Sequence, residues 1–288
     1  MTIKQFLVMF SIDFFVLFYC VPSSAWTISN SFDTQNVGEH CSPLWNGTAS
    51  IVTGVQSYSA SHSCRFHIEA GSDGGGGWGG GINFPAKQVK GNQLWVRIRT
   101  FWPVGSDFNS YSGGNRLKFL RFRTNSAPSV NDGYNDWYIN STTGIFNTPY
   151  SWIYEGENSW VDFGTFGHDA IQKGQWETYE YYIKFDNVPA SQGGQALVRL
   201  WKNGVLLKEI TNRKTLKTTE TYSTDLLIFT YWNGNSPKTQ DMYVDDLVVT
   251  SDTPSAQDAS GNHYIGMGSA PTGKSVTSSP PLPPGSIK

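Results

Sequence analysis

The sequence predicts an all-β sandwich of two antiparallel sheets, and three observations carry that expectation. From Gly174 to Thr250 the chain breaks into the blocks KGQWETYEYYIKFD, QALVRLWKNGVLLKEI, TDLLIFTYWNG and MYVDDLVVT. Each is short, alternating and rich in aromatic and β-branched residues, as half-buried strands are. Lys202-Asn203-Gly204 lies between two apolar runs, and Asn-Gly accepts the positive φ angles of a tight type I′ hairpin. No amphipathic helix of useful length occurs, which argues against α/β architectures, and no internal repeat is visible.

Residues 1–25 read as an export signal: Lys4, an apolar run from Phe6 to Val21, then small residues at Pro22-Ser23-Ser24-Ala25. Asp13 interrupts the run, whose uninterrupted length falls below the ~20 residues of a membrane-spanning helix. Bulky Phe18-Tyr19 ahead of Cys20 speaks against a lipid anchor. A secreted protein, extracellular or periplasmic, is expected, without a membrane partner. The remainder suits one large domain, assigned to residues 26–252. A Pro-, Ser- and Gly-rich tail, 253–288, is too poor in apolar residues to fold alone. Its first part can pack on the domain, and disorder is expected from about Gly268 onward.

Charged residues make up 15% of the chain and aromatics also 15%, with 11 Trp and 14 Tyr. That balance suits sugar stacking better than nucleic-acid binding, where a basic excess is expected. A net charge of −2 gives no polyanion-binding field, so any attraction for an acidic substrate must be local, from Arg and Lys gathered in one groove. A monomer is expected. With Cys20 in the leader, Cys41 and Cys64 remain as a pair, for which a disulfide is favoured in an oxidising compartment; closing that loop contributes roughly 3 kcal/mol. A metal site with His40, His62 and His67 nearby is the alternative, but the spacing matches no compact zinc pattern. Asn46-Gly47-Thr48 and Asn140-Ser141-Thr142 are glycosylation sequons if the host is eukaryotic.

In chain order, strands are expected after Trp26, from Ser50 to Val55, and over CRFHIEAG. In the last, Phe66 and Ile68 face one side and Arg65, His67 and Glu69 the other, because successive side chains alternate. The opposite face then presents three ionisable groups with ~7 Å between alternate residues, as a polysaccharide cleft does; an ordinary solvent-facing strand is the plain alternative. The Ser72–Gly81 loop, SDGGGGWGGG, lacks the Gly-Lys-Ser/Thr and helix of a phosphate loop. It reads as a floppy connection, or as a flap able to lay Trp78 over a sugar. NQLWVRIRTFWP puts Leu94, Val96, Ile98 and Thr100 on one face and Trp95, Arg97, Arg99 and Phe101 on the other. GGNRLKFLRFRT starts with Leu117 and Phe119 inward and Lys118 outward, and strict alternation would then bury Arg121 and Arg123. A β-bulge near Leu120 would restore both arginines to the polar face. DGYNDWYIN and PYSWIYEG read as short strands, and NSWVDFGTFGHDAIQKG as a loop carrying His168 beside Asp169.

WETYEYYIKFD, the RLWKNGVL hairpin and the YVDDLVV final strand resemble the concanavalin A-like jelly roll, and among its branches the secreted polysaccharide lyases of the heparin, glucuronan and alginate lyase type. The resemblance spans roughly Trp26 to Asp252. It implies that a strand carrying Arg-x-Glu or a similar triplet lines the concave sheet, and Arg65-Phe66-His67-Ile68-Glu69 looks like that strand. It also implies a Tyr proton donor on a late concave strand, matched by Tyr182. The alginate-lyase triplet Gln-Ile/Val-His and its Tyr-Phe-Lys-Ala-Gly block are absent. So is the glucanase signature Glu-x-Asp-x-x-Glu, which counts against a two-carboxylate glycosidase.

The chemistry can be stated without the family. β-Elimination from a uronate needs a cation or strong donor on the carboxylate, a base for the proton beside it, and an acid for the leaving oxygen. Between Trp176 and Phe185, Tyr179, Tyr181, Ile183 and Phe185 form the apolar face, leaving Glu180, Tyr182 and Lys184 opposite. In the next strand Ala196, Val198 and Leu200 point inward and Arg199 and Trp201 outward. These polar faces are expected to combine with Arg65, His67, Glu69, Arg97, Arg99, Lys118 and Arg121 into one groove. His67, Tyr182 and Arg65 are the catalytic candidates, and the others bind substrate. Each has a plainer reading: Tyr182 as a packing tyrosine, Glu180 and Lys184 as a surface pair, Trp201 as core after a one-residue slip. No cofactor is expected; a structural calcium at Asp245 and Asp246 is the alternative, short of the usual oxygen ligands. The expected function is β-elimination on an acidic polysaccharide. A lectin-like binding module is the alternative, and a structural sandwich without a groove a third.

Overall fold

The computed structural model describes residues 25–45, 50–75, 78–108, 116–140, 150–163 and 171–268. The described residues form β1 (Thr27–Asn30), β2 (Ser50–Thr53), β3 (Ser63–Ile68), β4 (Gly80–Gln88), β5 (Gln93–Phe101), β6 (Arg116–Ala127) and β7 (Val130–Asn140). After these come β8 (Tyr150–Tyr154), β9 (Ser159–Phe163), β10 (Trp176–Lys184), β11 (Leu197–Lys202), β12 (Val205–Ile210), β13 (Tyr222–Asn233) and β14 (Gln240–Thr250). The larger sheet runs β12-β11-β10-β5-β14-β3-β2, with β1 also on β14; the smaller runs β4-β13-β6-β7-β8-β9. Every pairing is antiparallel. The two-sheet all-β sandwich expected from the sequence is the fold observed.

Alternation fills the space between the sheets. Phe66, Ile68, Val96, Ile98, Tyr179, Tyr181 and Leu247 of the larger sheet meet Phe119, Phe122, Trp137, Trp152 and Ile228 of the smaller, all buried. At roughly 1.5–3 kcal/mol for each large apolar side chain removed from water, this layer dominates stability. Its polar atoms are paired inside it: Trp152 Nε1 donates to Tyr181 Oη at 2.7 Å, and Tyr179 Oη donates to Glu177 Oε2 at 2.7 Å. Glu177 in turn meets Lys202 at 2.7 Å. Asn203 and Gly204, with φ of 49° and 78°, make the tight turn between β11 and β12. Cys41 and Cys64 form a disulfide across 23 positions.

The pairing of β6 with β7 slips between Lys118 and Leu120. This is the expected bulge: Phe119, Leu120 and Phe122 all reach the core, while Lys118, Arg121 and Arg123 share the outer face. Two strands were not expected. β4 opens on glycines and contains Pro85, which an edge strand tolerates because one side of its ladder is unpaired. β9 lies within NSWVDFG, at the opposite edge. Trp78 is neither flap nor floppy, because it packs in the core on Phe229 and Trp232. The glycine beside it is required there: a Cβ on Gly79 would stand 1.8 Å from the Ile228 carbonyl oxygen.

Past β14 the chain does not leave the domain. Residues 252–268 cross the outer face of the larger sheet as a strap, and Trp95, Tyr182, Trp201, Val248 and Ile265 form a second apolar cluster beneath it. The rest of the tail, from 269, lies outside the described residues, as do the leader, the Asn46 sequon, His168 and Asp169. Asn140 is described, and its side chain is buried and donates to Ser151 Oγ at 3.1 Å, so it is not presented for glycosylation. Among the described residues no helix is long and apolar enough to cross a membrane.

Candidate functional site: two outer faces

The structure distributes the sequence-derived candidates over two surfaces instead of one groove. Arg65, His67, Glu69, Arg97, Arg99, Glu180, Tyr182, Lys184, Arg199 and Trp201 belong to β3, the turn after it, β5, β10 and β11 of the larger sheet. Lys118 and Arg121 belong to β6 of the smaller. Alternation places a side chain on a face correctly, but nothing in it says which sheet a strand joins.

On the larger sheet the strap consumes most of the polar groups. Arg97 and Arg99 are buried. Arg97 donates to the Gly266 and Gly268 carbonyls at 2.8 and 2.6 Å, and Arg99 to Met267 and Gly268 at 2.7 and 3.0 Å. Glu180 accepts the backbone N–H groups of Ile265 and Gly266 at 2.6 and 3.0 Å. Burial pushes its carboxyl up to about 7, against those two hydrogen bonds and the nearby arginines. Trp95 Nε1 donates to the His263 carbonyl and Trp201 Nε1 to Asp258, each at 2.9 Å. Trp201 faces outward as expected yet is fully covered. These residues hold a peptide, and the surface they were expected to offer a sugar is occupied.

His67 and Tyr182 do not flank a common point. They lie three strands apart, and Asp241, opposite His67, stands about eight residues along the ladder from the level of Trp95, opposite Tyr182. At ~4.8 Å per strand and ~3.3 Å per residue the two are about 30 Å apart. Tyr182 is buried on Trp95, its hydroxyl donating to Gln93 at 3.2 Å. His67 has both ring nitrogens engaged, Nδ1 with Asp241 at 2.7 Å and Nε2 with Glu69 at 3.0 Å. The hydrogen bond to Glu69, and next Asp241, raise its pKa against partial burial. Arg65 lies opposite Tyr243 on β14. Arg199 pairs with Glu209 at 2.6 Å, and Lys184 sits half-buried at the rim. Asp245 accepts three backbone N–H groups, from Tyr58, Ser59 and Asp246, and Asp246 lies 3.5 Å from Arg99.

The smaller sheet presents an open groove. Three cross-strand rows build it: Tyr231, Lys118, Tyr138 and Ser151; Leu227, Arg121, Asp136 and Ile153; Asp225, Arg123 and Tyr134. Lys118 Nζ lies 2.8 Å from Glu155 Oε1 and 3.7 Å from Asp136 Oδ2. Arg121 Nε donates to Asp136 Oδ1 at 2.8 Å, and its guanidinium lies 3.7 Å from the Tyr134 ring centroid. Arg123 Nε donates to Asp225 at 2.9 Å. Tyr231 stands at the rim, 37% exposed, with its ring centroid 5.3 Å from Lys118 Nζ. Asp136 is fully buried, and that burial pushes its carboxyl up to about 6, against the pull of Arg121 and Lys118. A cavity of about 230 Å³ opens over these rows, with Trp45, Arg121, Arg123, Tyr134 and Tyr231 in its walls. Cations that can meet a carboxylate and phenols that can move a proton share one concave surface.

Solved structures align with this architecture over most of their length. Alginate lyase Aly36B matches with a TM-score of 0.54 at 15% identity, covering 77% of this chain and 96% of that one. An endo-β-1,4-glucuronan lyase from the fungus Trichoderma reesei matches with a TM-score of 0.51 at 12% identity, covering 74% and 93%. The chain has the jelly-roll fold of polysaccharide lyases. A variant of Aly36B solved with an alginate trisaccharide aligns equally well, with a TM-score of 0.54 at 13% identity. No protein-family model and no curated protein matches the sequence. At these identities the likeness speaks for the lyase fold alone.

Of the residues expected from the sequence, Lys118 and Arg121 line this groove. Tyr134, Asp136, Glu155 and Tyr231 were missed. A signal for two of them existed in DGYNDWYIN, where alternation puts Tyr134 and Asp136 on one face with Tyr138, the same pattern that singled out Arg65 and His67. Glu155 follows β8 in a short 3-10 turn, and nothing in the sequence brings it to Lys118.

Proposed function

We propose that the protein is a secreted lyase that cleaves an acidic, uronate-containing polysaccharide by β-elimination in the groove of the smaller sheet. The observation that carries this reading is the wall on which Lys118, Arg121, Tyr134 and Tyr231 stand together. Lys118 and Arg121 neutralise the uronate carboxylate, which stabilises the charge that develops when the neighbouring C–H proton leaves. Tyr134 and Tyr231 are the proton-transfer pair, one taking that proton and the other protonating the glycosidic oxygen as its bond to the ring breaks. The product carries a new C=C bond conjugated to the carboxylate. Export rests on the leader-like first 25 residues and agrees with the disulfide, which belongs to oxidising compartments.

A non-catalytic, lectin-like module is the second reading. It is favoured by the carboxylate already paired with each groove cation, Glu155 on Lys118, Asp136 on Arg121 and Asp225 on Arg123. The two separate in an assay of alginate, glucuronan, heparin and pectate that follows the ultraviolet absorbance of unsaturated uronates. The lyase yields a rising signal on at least one polymer, and Tyr231→Phe or Tyr134→Phe lowers kcat/KM by about 10²–10⁴, the range for a lost proton-transfer group. Silence across the panel with polysaccharide still retained leaves the binding module, and silence without retention sinks both.

A further inference from the structure

A second cavity, of about 430 Å³, lies at the far end of the same face, between β4, the β6–β7 hairpin and the start of β13. Lys87, Arg123, Asn125, Asn131, Tyr222 and Thr224 are in its walls, and no Asp or Glu is among its lining residues. Both arginines lining the first cavity, Arg121 and Arg123, pair with a carboxylate; of the two cations here, Arg123 keeps that partner and Lys87 is the one that differs. Lys87 Nζ lies 4.0 Å from the centroid of the Tyr222 ring and pairs with no carboxylate among the described residues. The two cavities are neighbours: Arg123 lines both, and Asn131 donates to Tyr134 Oη at 2.7 Å, tying a wall of the second to a phenol of the first.

We infer that this cavity is a distal subsite that takes an anionic, carboxylate-bearing sugar unit of a chain whose reacting unit sits over Lys118 and Arg121. The inference rests on the lyase reading for the word reacting, but not for binding. An exposed ammonium over an aromatic face offers a carboxylate one charged donor while the ring edge offers an apolar surface to a pyranose. Asn125 and Asn131 supply neutral donors and acceptors for hydroxyls. Because the unmatched charge lies here and not at the reacting position, the groove gains affinity for a polyanion chiefly from chains long enough to reach Lys87. Chain length, not only composition, then sets specificity.

The test compares wild type, Lys87→Gln and Lys87→Arg on purified oligouronates of two to six units, reading cleavage by ultraviolet absorbance and binding by calorimetry. We expect the ratio of kcat/KM for the longest to the shortest cleaved chain to fall about tenfold in Lys87→Gln and to be largely kept in Lys87→Arg, with the change in KM. Cleavage by wild type whose length dependence is the same in Lys87→Gln overturns the subsite and leaves the lyase reading standing. Length-dependent binding that Lys87→Gln removes, without any cleavage, overturns the lyase reading and keeps the subsite. Neither binding nor cleavage of any oligouronate overturns both. A thermal melt of each variant excludes misfolding, to which an exposed edge-strand lysine is an improbable contributor.

Discussion

The outer faces of the two sheets start from similar material and end in opposite uses. Each carries arginines and tyrosines at alternate positions of long strands, with carboxylates within reach. On the larger sheet Arg97, Arg99 and Glu180 spend their hydrogen bonds on the backbone of residues 265–268, and Trp95 and Trp201 are roofed by the same strap. On the smaller sheet Lys118, Arg121 and Arg123 pair with side chains, and the two arginines border an open cavity. Charge composition on a strand face therefore does not mark a binding groove; what distinguishes the two is whether the chain itself supplies the ligand.

The largest expected effect separates the faces by stability. Glu180→Ala leaves Arg97 without its nearest buried carboxylate and orphans two strap N–H groups, a loss of about 3–5 kcal/mol for a broken buried charge network. Lys87→Gln, at an exposed lysine of the smaller sheet with no carboxylate partner among the described residues, changes stability by less than about 1 kcal/mol. Chemical denaturation of the two variants checks the contrast, and equal costs would mean that the strap is held by its apolar cluster alone.

A second effect sharpens the same contrast through pH. Burial raises Glu180 from its ordinary carboxylate range to about 7, so the folded state binds its proton more tightly than the unfolded chain does. Stability from this group is full below about pH 4.5 and is lost as pH rises towards 7, by about 3 kcal/mol over the window. Asp136 and Asp245, each raised to about 6 by burial, act with the same sign over an overlapping range, as does His67, whose pKa its hydrogen bonds to Glu69 and Asp241 raise. Glu180→Gln should therefore remove the Glu180 share of the slope between pH 6 and 7 and leave theirs, in denaturation curves taken at half-unit steps. A slope unchanged by the substitution would place the titrating group elsewhere.

Much of this molecule was legible from alternation and turn chemistry. The β11–β12 hairpin, the β6 bulge and the inward and outward faces of β3, β5, β10 and β11 follow from side-chain sterics over two or three residues. β4 was hidden because its glycines and Pro85 are poor strand formers, the glycines being retained where Leu44, Trp45 and Leu227 approach closely. The site was half legible. Lys118 and Arg121 were placed on an outer face, but joining them to His67 and Tyr182 required knowing strand order, which depends on pairings between residues more than a hundred positions apart. That the first part of the tail could pack on the domain was legible, but the contacts that hold it were not: GNHYIGMG has no period, and it is fixed by side chains of β5 and β10 far upstream.

The smallest effect lies in the groove and bears on why its cations are paired at all. Asp136 lies beneath Arg121 and Lys118 and titrates near pH 6, while Glu155 accepts from Lys118 and Tyr138 at its edge. Above pH 6 the Asp136 charge cancels one cation, and below it the groove carries one more net positive charge. Affinity for an acidic polysaccharide should therefore rise as pH falls through about 6. Asp136→Asn keeps an acceptor for Arg121 and removes the charge. At pH 7.5 and low salt the variant should bind roughly three- to tenfold tighter than wild type, a gain that shrinks as added salt screens it. At pH 5 the two should coincide, because wild type is then neutral at this position. Isothermal titration at both pH values reads the difference directly. If the variant binds no better at pH 7.5, the paired carboxylate does not weaken the groove's hold on its ligand, and Asp136 serves only to aim Arg121. If it binds better, pairing sets the affinity of the open face, much as peptide occupancy sets the state of the covered one.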